Sequence, residues 1–365
     1  MFVKACSDAG PPRVALIASC RKKNTGGEGL IYFAHISDLH FGATLANRSP
    51  SWVPMQHAHD LVKCLALPAA FDTARELLDV PLDIDDLPIV VSGDMSVSGT
   101  AQELAVAHAF VRGRFPINRI PGATDFMGLG ATSPDEVAAI PGNHDHWDGS
   151  RITLPPHNPA LYEEQFRATP WRKTWNSADN SLTLELYGVD SNSGWALGEA
   201  SLRERRAAGA LAKGRIADSQ FVALEDLLNA AGPREGRTAR AFICHHSLAY
   251  GGNTLKRAEL DQSSRDRLLD LAAEYEVSAV MTGHTHDPVA RHFQRSDSKG
   301  RFRSCYELRA GCAVGFKDGA TDEIGFLAHR VGIIGGKLTW ESQRLSWNGT
   351  RYAPFHQTPW HSFPV

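Results

Sequence analysis

Apolar residues along the chain fall into short runs that stop at polar clusters. Ile31 to Ile36 ends at Asp38-Leu39-His40, Leu87 to Val91 at Gly93-Asp94, and Val137 to Ile140 at Gly142-Asn143-His144-Asp145. Ala241 to Cys244 ends at His245-His246, and Ala279 to Met281 at Gly283-His284-Thr285-His286. Runs of this length, bounded by turn residues, predict strands, the first of them covered on both faces. Between them helical segments are predicted over Phe71 to Leu78, Gly99 to Arg112, Asn158 to Ala168, Ala217 to Ala231 and Arg265 to Tyr275. The fourth has an apolar face of Phe221, Leu224, Leu227 and Leu228, stopped by Gly232-Pro233. Strands alternating with helices predict a layered α/β fold, in which ligand sites gather at the carboxyl ends of the strands.

Trp171 to Trp175 and Ser181 to Val189 alternate like a strand pair that carries the chain to a second sheet. After Asp287 the pattern is β throughout: Val289 to Phe293, Phe302 to Leu308, Ile324 to Ile334 and Lys337 to Leu345, with Gly335-Gly336 as a hairpin turn. This reads as the return sheet of a sandwich. The expected organisation is one domain over residues 31–346, an extension over 1–30 and a tail over 347–365. Three stretches look irregular: 41–63, 113–134 and 193–215. The first is either a substrate-recognition loop or a surface insertion. The third carries Arg203, Arg205 and Arg206, which form either a solvated face or an arginine that folds over a phosphate.

Composition narrows the function. Hydrophobic content of 42% and charged content of 22% are ordinary for a globular protein. A formal net charge of −3 provides no broad attraction for nucleic acid or anionic membrane. The six cysteines, Cys6, Cys20, Cys64, Cys244, Cys305 and Cys312, have no C-x-x-C spacing, which argues against a zinc ribbon. Leu16-Ile17-Ala18-Ser19-Cys20 resembles a lipoprotein cleavage box, but its apolar stretch, Val14 to Ala18, falls short of the about 7–15 residues of a signal core. A cytoplasmic location is therefore expected, with export as a lipoprotein through Cys20 the alternative. The expected partner is a small molecule rather than a membrane or nucleic acid. A homodimer is compatible with the sequence.

The polar clusters carry the chemistry. Asp38, His40, Asp94, Asn143, His245, His284 and His286 are seven oxygen or nitrogen donors with no thiolate. That is too many for one tetrahedral ion and suits two divalent ions sharing a carboxylate. Asp38 and His40 are two residues apart, as are His284 and His286, so extended backbone directs each pair the same way. Two such ions activate water for hydrolysis at phosphorus. His35, with the opposite parity, is expected to be buried and structural.

In order and local spacing the clusters D-x-H, G-D, G-N-H-D, H and G-H-x-H resemble the calcineurin-like metallophosphoesterase superfamily. Gly93 to Gly99, His35 to His40, Gly188-Val189-Asp190-Ser191-Asn192 and His245-His246 resemble its class III cyclic-nucleotide-phosphodiesterase-like branch, except that Ser247 stands where that branch usually has proline. The resemblance implies a four-layer α/β/β/α sandwich with a dinuclear Mn, Fe or Zn site. It implies that Asp38, His40 and His286 hold one ion and Asn143, His245 and His284 the other, with Asp94 bridging. His144 would assist the leaving group and Asp145 would orient His144. The implied activity is hydrolysis of a small phosphodiester; the alternatives are a phosphomonoesterase or protein phosphatase, then a nuclease, then a scaffold without metals.

Overall fold

The computed structural model describes residues 29–42, 56–80, 87–113, 115–116, 126–129, 136–147, 158–196, 199, 201, 213–249, 259–314, 324–334, 336–355 and 361–365. The residue 1–28 part of the expected extension, Arg48, the Lys63 side chain, Arg151 and Arg203 to Arg206 lie outside them.

In chain order the elements are β1 (Leu30–Ile36), α1 (Gln56–Leu78), β2 (Ile89–Val91), α2 (Ala101–Val111), β3 (Phe115–Pro116), β4 (Phe126–Met127), β5 (Val137–Ala139), α3 (Ala160–Gln165), β6 (Trp171–Asn176) and β7 (Thr183–Gly188). There follow α4 (Asp218–Ala231), β8 (Thr238–Ile243), α5 (Gln262–Glu274), β9 (Ala279–Thr282), β10 (Val289–Ser296), β11 (Phe302–Arg309), β12 (Gly325–Ile334), β13 (Lys337–Trp347), β14 (Tyr352–Pro354) and β15 (His361–Pro364).

They build two large sheets. One has the order β14-β13-β12-β1-β2-β5, with β15 also on β13; the other has the order β10-β11-β9-β8-β7-β6. β3 and β4 form a separate two-stranded pair. In β1 the parity rule sorts residues between two cores. Ile31 and Phe33 point between the sheets, where they meet Trp175, Ala241, Met281 and Trp340. Tyr32, Ala34 and Ile36 point outward, onto Leu67, Phe71 and Ala74 of α1 and Leu104 of α2. A third core packs Phe221, Leu224 and Leu228 of α4 and Leu268 of α5 on the outer face of the second sheet. Three apolar layers separated by two sheets make the four-layer α/β/β/α sandwich expected from the motifs.

Three expectations change. α1 begins at Gln56, so part of the stretch expected to be irregular is helical; among its residues with described side chains, Leu67, Ala70, Phe71, Ala74 and Leu78 form an apolar stripe in the core. The four late β runs divide: β10 and β11 join the second sheet, but β12 and β13 return to the first, beside β1. The residues beyond 346 are not a tail. Thr339 to Ser342 of β13 pair with β15, and Leu345 to Trp347 pair with β14, and Phe363 stacks between Tyr306 and Trp340. Strands of three and four residues are too short to show a period.

Candidate metal centre

The polar clusters meet because the hydrogen bonding of parallel strands continues past the strand ends. Beyond β1 and β2, Asp38 N donates to Gly93 O at 3.0 Å and His40 N to Asp94 O at 3.0 Å. Gly283 N donates to His245 O at 3.0 Å, doing the same for β8 and β9. Two glycines allow the approach. Gly93 has φ +101°, and a Cβ on Gly142 would lie 2.1 Å from Asp94 Oδ1. The donors themselves sit on unusual backbone: Asp38, His40, Asp94, His284 and His286 have φ between 48° and 69°, five of the eight non-glycine residues of positive φ among the described residues. Each such position costs on the order of 1–3 kcal/mol and persists only where its surroundings impose it.

All seven predicted donors come together in two adjoining groups. In one, His286 Nε2 lies 3.1 Å and His40 Nε2 3.6 Å from Asp38 Oδ1. In the other, His245 Nε2 is 3.2 Å from Asp94 Oδ2, 3.2 Å from Asn143 Oδ1 and 3.1 Å from His284 Nδ1. Asp94 is common to two of the mutually close donor sets, one with His245 and His284 and one with His40 and His144. It therefore has the between-groups position that bridging requires. His35 is absent from these sets; it is buried, with Nε2 2.9 Å from Ser92 Oγ.

The donor chemistry fits divalent cations. His245 Nδ1 lies 2.7 Å from the Ser92 carbonyl, which can only accept, so the ring donates there. The same ring's Nε2 faces Asp94, Asn143 and His284 at once, and a single proton on it can satisfy only one of them. Fixing one ring nitrogen on a carbonyl is the arrangement that presents the other to a metal. The electrostatics agree. Burial opposes ionisation of Asp38 and Asp94, yet the surrounding imidazoles hold both carboxyls below the usual range. Burial likewise opposes charge on His245, but Asp94 and Asp38 hold it up at about 9. The two carboxylates thus draw positive charge into a buried site. His284, where burial and His245 act together, falls to about 3.

His144 stands at the edge of the cluster, with Nε2 3.9 Å from Asp94 Oδ2 and its ring 3.9 Å from that of Trp147. Its other nitrogen, Nδ1, lies 2.8 Å from the Val97 carbonyl. This corrects the expectation for Asp145. The Asp145 carboxylate, fully buried, accepts from Met95 N, Ser96 N, Ser96 Oγ and Gly142 N. It ties the loop after β2 to the loop after β5, and Val97 orients His144. Four donors from the neighbouring loops take up the carboxylate, whereas the resemblance implied that it would orient the His144 ring.

Several contributors have roles that spacing did not reveal. Cys312 Sγ lies with the His40 and His286 donors and is 3.0 Å from Asp38 O, so a thiol borders a site expected to have none. Asp190 Oδ2 is 3.2 Å from His146 Nε2, and Ser191 Oγ is 2.8 Å from His246 Nδ1; the Gly188 to Asn192 motif therefore buttresses the loops after β5 and β8. Behind the histidine loops, buried Glu307 accepts from Leu248 N and Thr282 Oγ1, while buried Arg309 donates to Thr285 Oγ1 and Ala249 O. Only the fold reveals that β11, which carries both, runs beside β9.

Solved structures are similar to this chain only distantly. A Staphylococcus aureus protein described as a 5′-nucleotidase is 12% identical, with 92% of this chain and 54% of that one covered and a TM-score of 0.37. The chain thus spans about half the length of that protein. Vacuolar protein sorting 29 from Cryptosporidium parvum is 10% identical over 93% of this chain and 100% of its own, with a TM-score of 0.35. No curated protein matches the sequence. Among the described residues no helix is long and apolar enough to cross a membrane. The decisive comparison is with the family model for calcineurin-like phosphoesterases, which matches residues 31–288. That span is most of the chain and takes in all seven clustered donors, so the chain belongs to the calcineurin-like phosphoesterase family.

Proposed function

We propose that the chain is a phosphodiesterase acting on a small diester, such as a cyclic nucleotide or a glycerophosphodiester, at a dinuclear centre. Asp38, His40 and His286 would hold one ion and Asn143, His245 and His284 the other, with Asp94 shared. When bound, two divalent ions supply an activated water and positive charge for the phosphoryl oxygens. The protein's own part falls to His144. Its Nδ1 is fixed on the Val97 carbonyl, which leaves Nε2 at the cluster edge to give a proton to the departing oxygen. Burial lowers its pKa against the pull of Asp94. Manganese is the proposed activating ion and the cytoplasm the proposed location.

One observation favours a diester over a monoester. Among the described residues the ion pairs of Asp38 and Asp94 are all with imidazoles, and no lysine or arginine joins them. A monoester carries a further negative charge and is better served by additional cationic donors of the arginine type. The test is side-by-side kinetics at saturating Mn²⁺ with bis-p-nitrophenyl phosphate, p-nitrophenyl phosphate and cyclic AMP. The diester is expected to show the higher kcat/KM. A clear preference for p-nitrophenyl phosphate would replace this reading with a phosphomonoesterase, and Arg203, Arg205 and Arg206 would be the first residues to replace.

A further inference from the structure

The donors assigned to the first ion come from both sheets. Asp38 and His40 lie past the end of β1 in the first sheet, and His286 lies past the end of β9 in the second. The chain passes between those two strand ends at residues 310–313, on its way from β11 to β12. Ala310 N donates to Thr282 O at 2.9 Å, two residues before His284, and Ala313 N donates to Ser37 O at 2.8 Å, one residue before Asp38. The passage is itself pinned from the far side. Gly325 N donates to Cys312 O at 3.0 Å, and the Tyr352 hydroxyl of β14 donates to Ala313 O. This short segment therefore bonds to both loops that supply the first ion's donors, and it lies beyond the matched residues 31–288.

Cys312 is buried within this passage. Its Sγ is 3.0 Å from Asp38 O and is close to donor atoms of both His40 and His286. Three roles are open to such a thiol. As a small apolar filler it would account for the burial but not for the contact with a carbonyl oxygen. As a metal ligand it would be a thiolate, with no proton to share and a negative charge facing that oxygen. A carbonyl oxygen only accepts, so a sulfur at this distance is best accommodated as a neutral thiol that donates. The bond falls where the backbone needs support. Asp38 has φ 56°, a conformation that persists only where its surroundings impose it. Gly93 O holds its N–H at 3.0 Å, and the Cys312 thiol holds its carbonyl. Between these two ties the Asp38 carboxylate stands 3.1 Å from His286 Nε2 and 3.6 Å from His40 Nε2.

We propose that Cys312 is a positioning residue of the metal centre: its neutral thiol, carried by residues 310–313, donates to the Asp38 carbonyl and fixes the backbone from which Asp38 presents its carboxylate to the first ion. The proposal rests on the assignment of Asp38, His40 and His286 to that ion. The full chain is compared as wild type, Cys312→Ala and Cys312→Ser, with thermal unfolding of the metal-free proteins as the check on folding. In Mn²⁺ titration calorimetry the wild type is expected to bind two ions, and Cys312→Ala to bind one of them at least about 10-fold more weakly, the lower end of the about 10–100-fold effect of groups that orient metal ligands. Cys312→Ser keeps a hydroxyl donor and should recover most of that loss, which a packing role would not produce. If Cys312→Ala does not fold, Cys312→Val, which fills the volume without a donor, takes its place. The absorption spectrum of the Co²⁺-loaded wild type should contain no sulfur-to-cobalt charge-transfer band. Unchanged affinity in the variant without a donor, no recovery with serine, or a charge-transfer band that Cys312→Ser abolishes would each overturn the proposal. A wild type that binds no divalent ion would instead refute the ligand assignment beneath it, and the proposal with it.

Discussion

Arg309→Met tests whether the metal centre depends on the buried pair behind it. Arg309 is fully buried, with Nη1 3.0 Å from Thr285 Oγ1 and Nη2 2.7 Å from Ala249 O. Glu307 Oε1 and Oε2 each lie 3.4 Å from Nη2, and Oε1 also accepts from Leu248 N and Thr282 Oγ1. The pair therefore holds the segment after His245-His246 and the segment carrying His284 and His286 against one strand. Methionine fills most of the arginine's volume but leaves Glu307 as an uncompensated buried charge, at a cost of about 3–5 kcal/mol of stability. It also frees Thr285 and Ala249, and disturbing groups that orient metal ligands weakens metal affinity by about 10–100-fold. Glu307→Gln/Arg309→Met separates the two effects. Removing both charges should restore much of the stability, while metal affinity stays low because the ties to the two segments are still missing. Urea unfolding of the metal-free proteins and Mn²⁺ titration calorimetry measure the two quantities. Mn²⁺ affinity in the double variant within about twofold of wild type would refute the reasoning and leave the pair a purely structural role.

Other expectations follow from the same geometry. Wild-type protein should take up about two divalent ions per chain, and Asp94→Asn should disturb both, as read by metal analysis. His144→Ala should lower kcat by about 10²–10⁴-fold with metal content unchanged; loss of an ion would make His144 a ligand instead. Asp145→Ala should act through the loops, leaving Met95 N, Ser96 N and Gly142 N without their acceptor, and lower stability by about 1–3 kcal/mol or more. His35 supplies a pH test: burial lowers its pKa from 6.5 to about 3, against the pull of Asp38. The unfolded chain therefore binds a proton below pH 6.5 that the folded chain refuses. Stability should fall by about 1.4 kcal/mol per pH unit on its account as pH drops from 6.5 towards 3. His35→Gln should show a shallower decline in thermal unfolding between pH 6.5 and 4.5, and an equal slope in both proteins would refute the assignment.

The strands that carry the site were legible because each is a buried run closed by turn-forming or polar residues, and burial on both faces leaves a strong compositional mark. β1 is the clearest case, with every residue after Leu30 buried. The end of the chain was not legible. β14 and β15 are recognisable only through the partner they pair with, since Phe363 gains meaning from Tyr306 and Trp340 beside it. Sheet membership was equally hidden. β11 and β12 read alike as apolar strands, yet the chain crosses from one sheet to the other between them, through Cys312 and Ala313, and Ala313 N donates to Ser37 O at 2.8 Å. That crossing is what brings a thiol to the cluster.

Within the site, legibility follows how local the chemistry is. Donors two residues apart on one loop can be recognised from the motif, as with Asp38 and His40, although the backbone expected to be extended there is left-handed at both residues. Residues that act by holding another loop cannot, because their partners are distant in sequence. Asp145 shows the difference. The resemblance implied that it orients His144, but a buried carboxylate is stabilised by as many donors as reach it, and the loop after β2 offers three of the four it has. The strained backbone points the same way. Positive φ at Asp38, His40, Asp94, His284 and His286 is unfavourable at each residue taken alone, so no local propensity would predict it. It is tolerated because the crossed-over hydrogen bonds of Asp38 N, His40 N and Gly283 N, together with the Asp145 and Glu307–Arg309 ties, fix the loops from outside. The motif specifies which groups form the centre, and the buried polar residues around it hold those groups in a geometry they would not adopt by themselves.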